Sequence, residues 1–230
     1  FNIPVCPYYV CTNEGRFLDE EELMAEELLM HIARGGEGSS QPPDVEDYER
    51  FFAEKLTEAQ NVIHITMAKH VSDGYQNAIE AAKSFENVTV VDSGHLSSSL
   101  GLSVLCAASM AEHHAAKEEI VDAIRRVERL ISSAFIINST HMMCRSGRIS
   151  KKVQVICDAL LLHPVLRLRK SKMVVGGMEM GDFSRAAKKY IKRTLHDTDY
   201  IDRRSLFMTS SGLEGRKLKS LQTLDRQCSP

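Results

Sequence analysis

This 230-residue chain has no tryptophan, and aromatic residues make up only 6% of it. No apolar run approaches the roughly 18 residues that a spanning helix needs, so no membrane span is expected. Residues 1–11 are apolar but carry neither a basic start nor a small-residue cleavage site, so no signal peptide is expected in them. Six cysteines are scattered without a CxxC pair. No histidine follows Cys6 and Cys11 at finger spacing, so neither zinc nor another metal is expected. The cysteines read as reduced thiols of a cytoplasmic protein, buried as small hydrophobes. A formal net charge of −2 gives no strong pull toward nucleic acid or an acidic membrane. The glycines form neither a P-loop nor a GxGxxG fingerprint. Ser72, Asp73, Ser93 and His95 resemble a hydrolase triad only loosely, and no GxSxG elbow supports one. Internal repeats and long low-complexity stretches are absent.

What remains is an ordinary globular composition, 43% apolar and 26% charged, in a chain long enough for one large domain or two small ones. The pattern predicts a strand over 3–10, a turn at 13–15 and a helix over 19–34, followed by a Gly/Ser/Pro loop over 35–43 and a helix opening at Asp44. A βαβαβ rhythm follows: strands over 61–67, 88–91 and 134–138, and helices over 75–85, 98–112 and 118–131. Such alternation predicts a parallel sheet with helices on both faces. Beyond it come a helix over 149–162, a hairpin around Lys170-Ser171-Lys172, a helix over 183–195, a strand over 205–209 and a helix over 213–224. The expected fold is α/β in two domains. Residues 1–131 form a parallel three-layer α/β/α domain, and 132–230 a mixed-sheet α/β domain that reads as incomplete at its end. The first residue is Phe rather than Met, so the sequence reads as cut from a longer or processed chain.

Four short segments carry the chemistry. Ser39-Ser40-Gln41-Pro42 precedes a helix. Ser72-Asp73-Gly74-Tyr75-Gln76 and Asp92-Ser93, running into Gly101-Leu102, each follow a predicted parallel strand. Ser146-Gly147-Arg148-Ile149 comes last. In an open parallel sheet, ligands sit outside the carboxyl ends of the strands. Hydroxyls there, with the free N–H groups and partial positive charge of a helix opening at Gly74, suit an anion held without a metal. Taken alone, Ser72 also reads as a simple helix cap.

In this order the four segments resemble the DegV family of bacterial fatty-acid-binding proteins over roughly residues 3–180. Their counterparts in that family are Thr-Ser-Gln-Pro, Ser-Gly-Thr-Tyr-Gln, Asp-Ser with Gly-Leu, and Gly-Gly-Arg-Ile. The resemblance implies a two-domain fold with a long-chain fatty acid, such as palmitate, between the domains and no other cofactor. The carboxylate would lie on Ser39 or Ser40 and on Ser72, beside Gly74, with the tail in an apolar tunnel. Arg148 is implied in the head-group and kinase region, because such proteins present the acid to a fatty acid kinase. The chain is then a binding protein and not itself an enzyme. Two departures stand out. Asp73 replaces a small residue beside the carboxylate site, where like charges repel. The family's opening Asp-Ser-Thr turn, and its closing His and Gly-Pro-Gly, have no counterpart here.

Among other residues, Ser93 and His95 are placed where their loop reaches the crevice. His64 alternates with Ile63 and Ile65 and reads as packed. His113-His114 complements a helix end, and His141 stays open. Arg145, Arg148, Lys151 and Lys152 make either a solvated helix face or a patch for an acidic partner. The ten methionines suit both an ordinary core and a tunnel accepting varied chains. Two other classes remain: a lipid-sensing or regulatory module of a larger protein, and a subunit of a dihydroxyacetone-kinase-like enzyme.

Overall fold

A computed structural model describes residues 2–147, 149–196, 201–202 and 205–211. Its contacts divide the chain into two compact units, Phe1–Ile131 and Ser132–Pro230.

The first unit opens with a hairpin, β1 (Tyr9–Thr12) and β2 (Gly15–Leu18), then helix α1 (Ala25–Ala33) and strand β3 (Gly38–Gln41). The three strands form an antiparallel sheet in the order β2-β1-β3. The strand expected over 3–10 thus starts late. Pro4 and Pro7 lack the N–H a ladder needs, so pairing begins only at Tyr9. The stretch expected to be a loop over 35–43 is in part a strand, with Val10 opposite Ser40 and Cys11 opposite Ser39.

Next come α2 (Val45–Leu56), β4 (Val62–Thr66), α3 (Gly74–Ala82), β5 (Val88–Asp92), α4 (Ser98–Glu112) and α5 (Lys117–Leu130). Strands β4 and β5 pair in parallel, from Val62 opposite Val88 to Thr66 opposite Asp92. Strand side chains alternate between faces, and here both faces are covered. On one side Val62 and Val88 pack with Tyr48, Phe52, Ala78 and Ala81 of α2 and α3. On the other, Ile63, Ile65 and Val91 meet Ala107, Ile120, Val121 and Ile124 of α4 and α5. His64 is packed, its ring edge-on to Tyr48 at 5.2 Å and to Phe52 at 5.3 Å between centroids.

A reciprocal cap starts α2. Asp47 N–H donates to Asp44 Oδ1 at 2.9 Å, and Asp44 N–H to Asp47 Oδ2 at 3.3 Å. The same Asp47 carboxylate accepts from the Tyr9 hydroxyl at 3.0 Å and pairs with Arg50 at 2.6 Å. Burial pushes its pKa up, but these donors, together with Arg16, hold it below the ordinary value. The hairpin is thereby tied to the helix that follows Pro42-Pro43, which fixes the path of the serine segment between them.

The second unit contains β6 (Ala134–Ile136), the short α6 (His141–Arg145), α7 (Lys151–Ala159), β7 (Leu162–Arg169), β8 (Lys172–Met180) and α8 (Phe183–His196). Strand β6 was expected to extend the parallel sheet. It instead pairs antiparallel with β7 over Ala134–Ile136, where the free edge of the β7–β8 hairpin satisfies its backbone. That hairpin turns at Lys170 and Ser171, both with positive φ (50° and 59°), as a two-residue hairpin turn requires. Helix α8 buries Ala186, Ala187, Tyr190 and Leu195. Glu179 is buried against Arg193. The strand expected over 205–209 does not form, and Leu206 and Phe207 are exposed on irregular backbone. The helix expected over 213–224 lies outside the described residues. Among the described residues no helix is long and apolar enough to cross a membrane.

Candidate functional site

The connection from β4 to α3 holds the first predicted hydroxyl. Asp73 takes the cap position of α3, but its exposed side chain makes no cap hydrogen bond. Ser72 does that work instead: its Oγ accepts from Gly74 N–H at 3.1 Å, quieting one of the donors a helix start leaves open. The same Oγ shares a 2.6 Å hydrogen bond with the Tyr8 hydroxyl.

Gly74 is buried, and its missing side chain shapes the site. A Cβ there would stand 2.7 Å from the Tyr8 hydroxyl, 3.1 Å from the Tyr48 hydroxyl and 3.4 Å from Pro42 Cβ. Two phenols and the end of the serine segment therefore converge on the first turn of α3. The next residue, Pro43, is held by Asn77 of that helix, whose Nδ2 donates to its carbonyl at 2.8 Å. Ser39 and Ser40 lie two to four residues upstream, both exposed. Paired residues of an antiparallel ladder share a face. Ser40 thus sits on the face of buried Val10, and Ser39 on the face of Cys11.

The hydroxyl groups here stay protonated. Burial raises the Tyr8 pKa, and the nearby Cys6 and Asp73 add to this, against the lowering effect of the Ser72 hydrogen bond. Burial raises that of Tyr48 further. Cys6 is pushed up to about 12, mainly by burial. The cluster is a set of neutral donors with one exposed carboxylate, Asp73, at its border.

Ser93 and His95 are used differently. The outgoing loops of β4 and β5 are laced together: Ser93 N–H donates to the Thr66 carbonyl at 3.1 Å, and Ala68 N–H to the His95 carbonyl at 2.8 Å. Ser93 is fully buried. Its hydroxyl accepts from His95 N–H and donates to the His95 carbonyl, both at 3.1 Å. His95 Nε2 lies 2.9 Å from the Glu128 carbonyl on α5. These two side chains hold the loop, whereas those at 8, 48 and 72 meet at the helix start. Arg148 lies outside the described residues. A cleft of about 670 Å³, lined by Phe17, Met30, His31 and Arg34 among others, shares no residue with the cluster.

Tyr8 and Tyr48 escape sequence reasoning because each occupies an apolar position in its pattern. The one available signal is that a buried tyrosine needs somewhere to put its hydroxyl.

The family model described as "Uncharacterised protein, DegV family" matches residues 1–229. A DegV domain-containing protein of Clostridium perfringens is 27% identical over 210 residues, covering 89% of this chain and 72% of the relative. One of Staphylococcus aureus is 24% identical over 165 residues, 71% of this chain. The chain spans 59% of the length of that Staphylococcus relative. Among solved structures, one titled as fatty acid binding of a DegV family protein from Thermus thermophilus is 27% identical. It superposes with a TM-score of 0.73, over 84% of this chain and 69% of that one. The Streptococcus pneumoniae Fatty Acid Kinase B3 protein, loaded with linoleic acid, shares the fold at 18% identity, with a TM-score of 0.71 over 84% of this chain and 69% of its own.

Proposed function

This chain belongs to the DegV family, and we propose that it binds a long-chain fatty acid with the carboxylate at the start of α3. Ser72 and the Ser39-Ser40 strand supply hydroxyls, and Gly74, lacking a side chain, lets neighbouring hydroxyls close on the helix start. Ser93 and His95 hold the adjoining loop in place. The observation that carries this reading is the convergence of Ser72, Gly74 and Pro42 at one helix start. Neutral donors and a helix N-terminus favour a single negative charge. Burying the acyl tail contributes about 0.8 kcal/mol per methylene, so the tail supplies most of the affinity and the hydroxyls set the orientation. The Thermus thermophilus fatty-acid-binding relative supports the ligand class. The role is carriage rather than catalysis. Presentation of the acid to a fatty acid kinase is the partner reading that goes with it, in line with the family resemblance and with the name of the Streptococcus pneumoniae protein.

The direct test is mass spectrometry of lipid extracted from the intact folded protein, together with palmitate titration. A co-purifying acyl chain and saturable palmitate binding are expected. Ser72→Ala removes a hydrogen bond to a charged group and should weaken palmitate about ten- to a hundredfold. An extract free of acyl chains, with no palmitate-dependent rise in melting temperature, counts against the reading.

Gly74→Ala separates binding from folding. Alanine improves helix propensity by up to ~1 kcal/mol, and the Tyr8 hydroxyl it meets at 2.7 Å is the movable tip of a side chain. Stability should therefore hold within about 1 kcal/mol in urea titration. Palmitate affinity should fall at least about tenfold, as for loss of one charge-assisted hydrogen bond. Equal affinity in the two proteins would show that the ligand does not lie against the start of α3.

A further inference from the structure

We infer that the hydroxyls of Tyr8 and Tyr48 complete the head-group clamp around Ser72, making it a cradle of three hydroxyls for one carboxylate. This rests on the fatty-acid reading above and adds two positioning residues that the serine motifs do not include.

The hydrogen count supports it. Ser72 Oγ already accepts from Gly74 N–H. If Tyr8 donates to it, both lone pairs are filled and the serine proton is left to point outward. If Ser72 donates to Tyr8, the phenol proton is the one left over. In either direction the pair offers one unspent donor, and a donor chain of this kind strengthens its last member. Tyr48 supplies the independent observation. It is 2% exposed, yet its hydroxyl takes part in no hydrogen bond among the described residues. It points to within 3.1 Å of where a Gly74 side chain would be. Its donor is thus unspent within the fold, and an acceptor arriving at the helix start can take it. Burial keeps both phenols protonated, so they remain donors at neutral pH, where a carboxylic acid is ionised. With Asp73 at the border, a monoanionic carboxylate suits the cradle better than a dianion.

The test uses the full chain, with palmitate and methyl palmitate competing against a fluorescent fatty acid, in the parent and in Tyr8→Phe and Tyr48→Phe. Each variant should lose about tenfold in palmitate affinity and stay within about twofold for the ester, whose carbonyl is a weaker acceptor with no charge. Unchanged palmitate affinity in both variants overturns the inference, as does a parallel loss for acid and ester, which marks a packing effect. Ser72→Ala weakening palmitate while both tyrosine variants hold it leaves the site standing and removes the phenols from it. A parent protein that takes up no palmitate overturns the fatty-acid reading, and the cradle with it. Should Tyr48→Phe melt early, Tyr8→Phe decides, because Tyr8 lies outside the aromatic cluster of α2.

Discussion

Phe52→Ala is expected to destabilise the first unit by about 3–5 kcal/mol, the usual cost of emptying a large buried aromatic site. Phe52 has no exposed surface. Its ring stacks on Tyr48 at 5.8 Å and meets His64 and Phe85 edge-on at 5.3 and 6.2 Å. Aromatic pairs of this geometry add to the plain burial. The neighbours come from α2, β4 and the turn after α3, three segments that cannot all close on the void. A domain of this kind has only about 5–15 kcal/mol in hand, so the variant approaches the limit of folding. Urea titration should show a midpoint lowered by at least ~1 M with little change in slope. A loss below ~1 kcal/mol would mean that the ring is not packed as described. Tyr48 loses its stacking partner in the same variant, so ligand affinity should fall with stability.

Acid lability is the second large effect. His64 is neutral in the fold, its pKa held down to about 4 by burial among the rings of Tyr48, Phe51 and Phe52. In the unfolded chain it returns to about 6.5. Above about 6.5 both states are neutral and the fold keeps its full stability. As the pH falls from there toward about 4, the unfolded chain takes up a proton that the folded one refuses, and stability drops. Below that window both bind it and the loss levels off. The full gap is worth ~3 kcal/mol at about 1.4 kcal/mol per pH unit. Asp47 acts lower: its pKa is depressed, so its contribution is lost only as the pH falls below the ordinary carboxylate range. Urea midpoints taken at about pH 7.5 and about pH 4.5 should differ clearly in the parent, and much less in His64→Phe, which keeps a ring in the cluster. An equal drop in both proteins would assign the acid sensitivity elsewhere.

The parts of the fold that could be read in advance are those with strong periodicity. Ile63 and Ile65 alternating with Val62 and His64, and the aligned Ile120, Val121 and Ile124, marked β4 and α5 because each element buries a continuous face. The β7–β8 hairpin was visible in its polar turn. What escaped was set by partners far along the chain. Gly38-Ser39-Ser40-Gln41 has little strand propensity, and becomes a strand only because β1 lies beside it. Ala134–Ile136, an apolar run following the strand-helix rhythm, suggested a further strand of the parallel sheet, yet the free edge of β7 claimed it. The site divided in the same way. Ser72 and Gly74 announced themselves through a helix start. The phenols of Tyr8 and Tyr48 came from apolar positions, and only the folded chain shows where their tips point.

That the Ser39-Ser40 pair rides on a ladder and not on a free bend limits how the preceding stretch can vary. Neighbours on a strand face opposite ways, and sliding the pairing by one residue exchanges every inward group for an outward one. Deleting a single residue between Gly35 and Glu37, if the slack were taken up as a slip, would set Ser40 where Ser39 now stands, opposite Cys11. Length drift in this segment is therefore tolerable in steps of two, or when a bulge swallows it, while an odd step rewrites which alcohol shares the face of Val10.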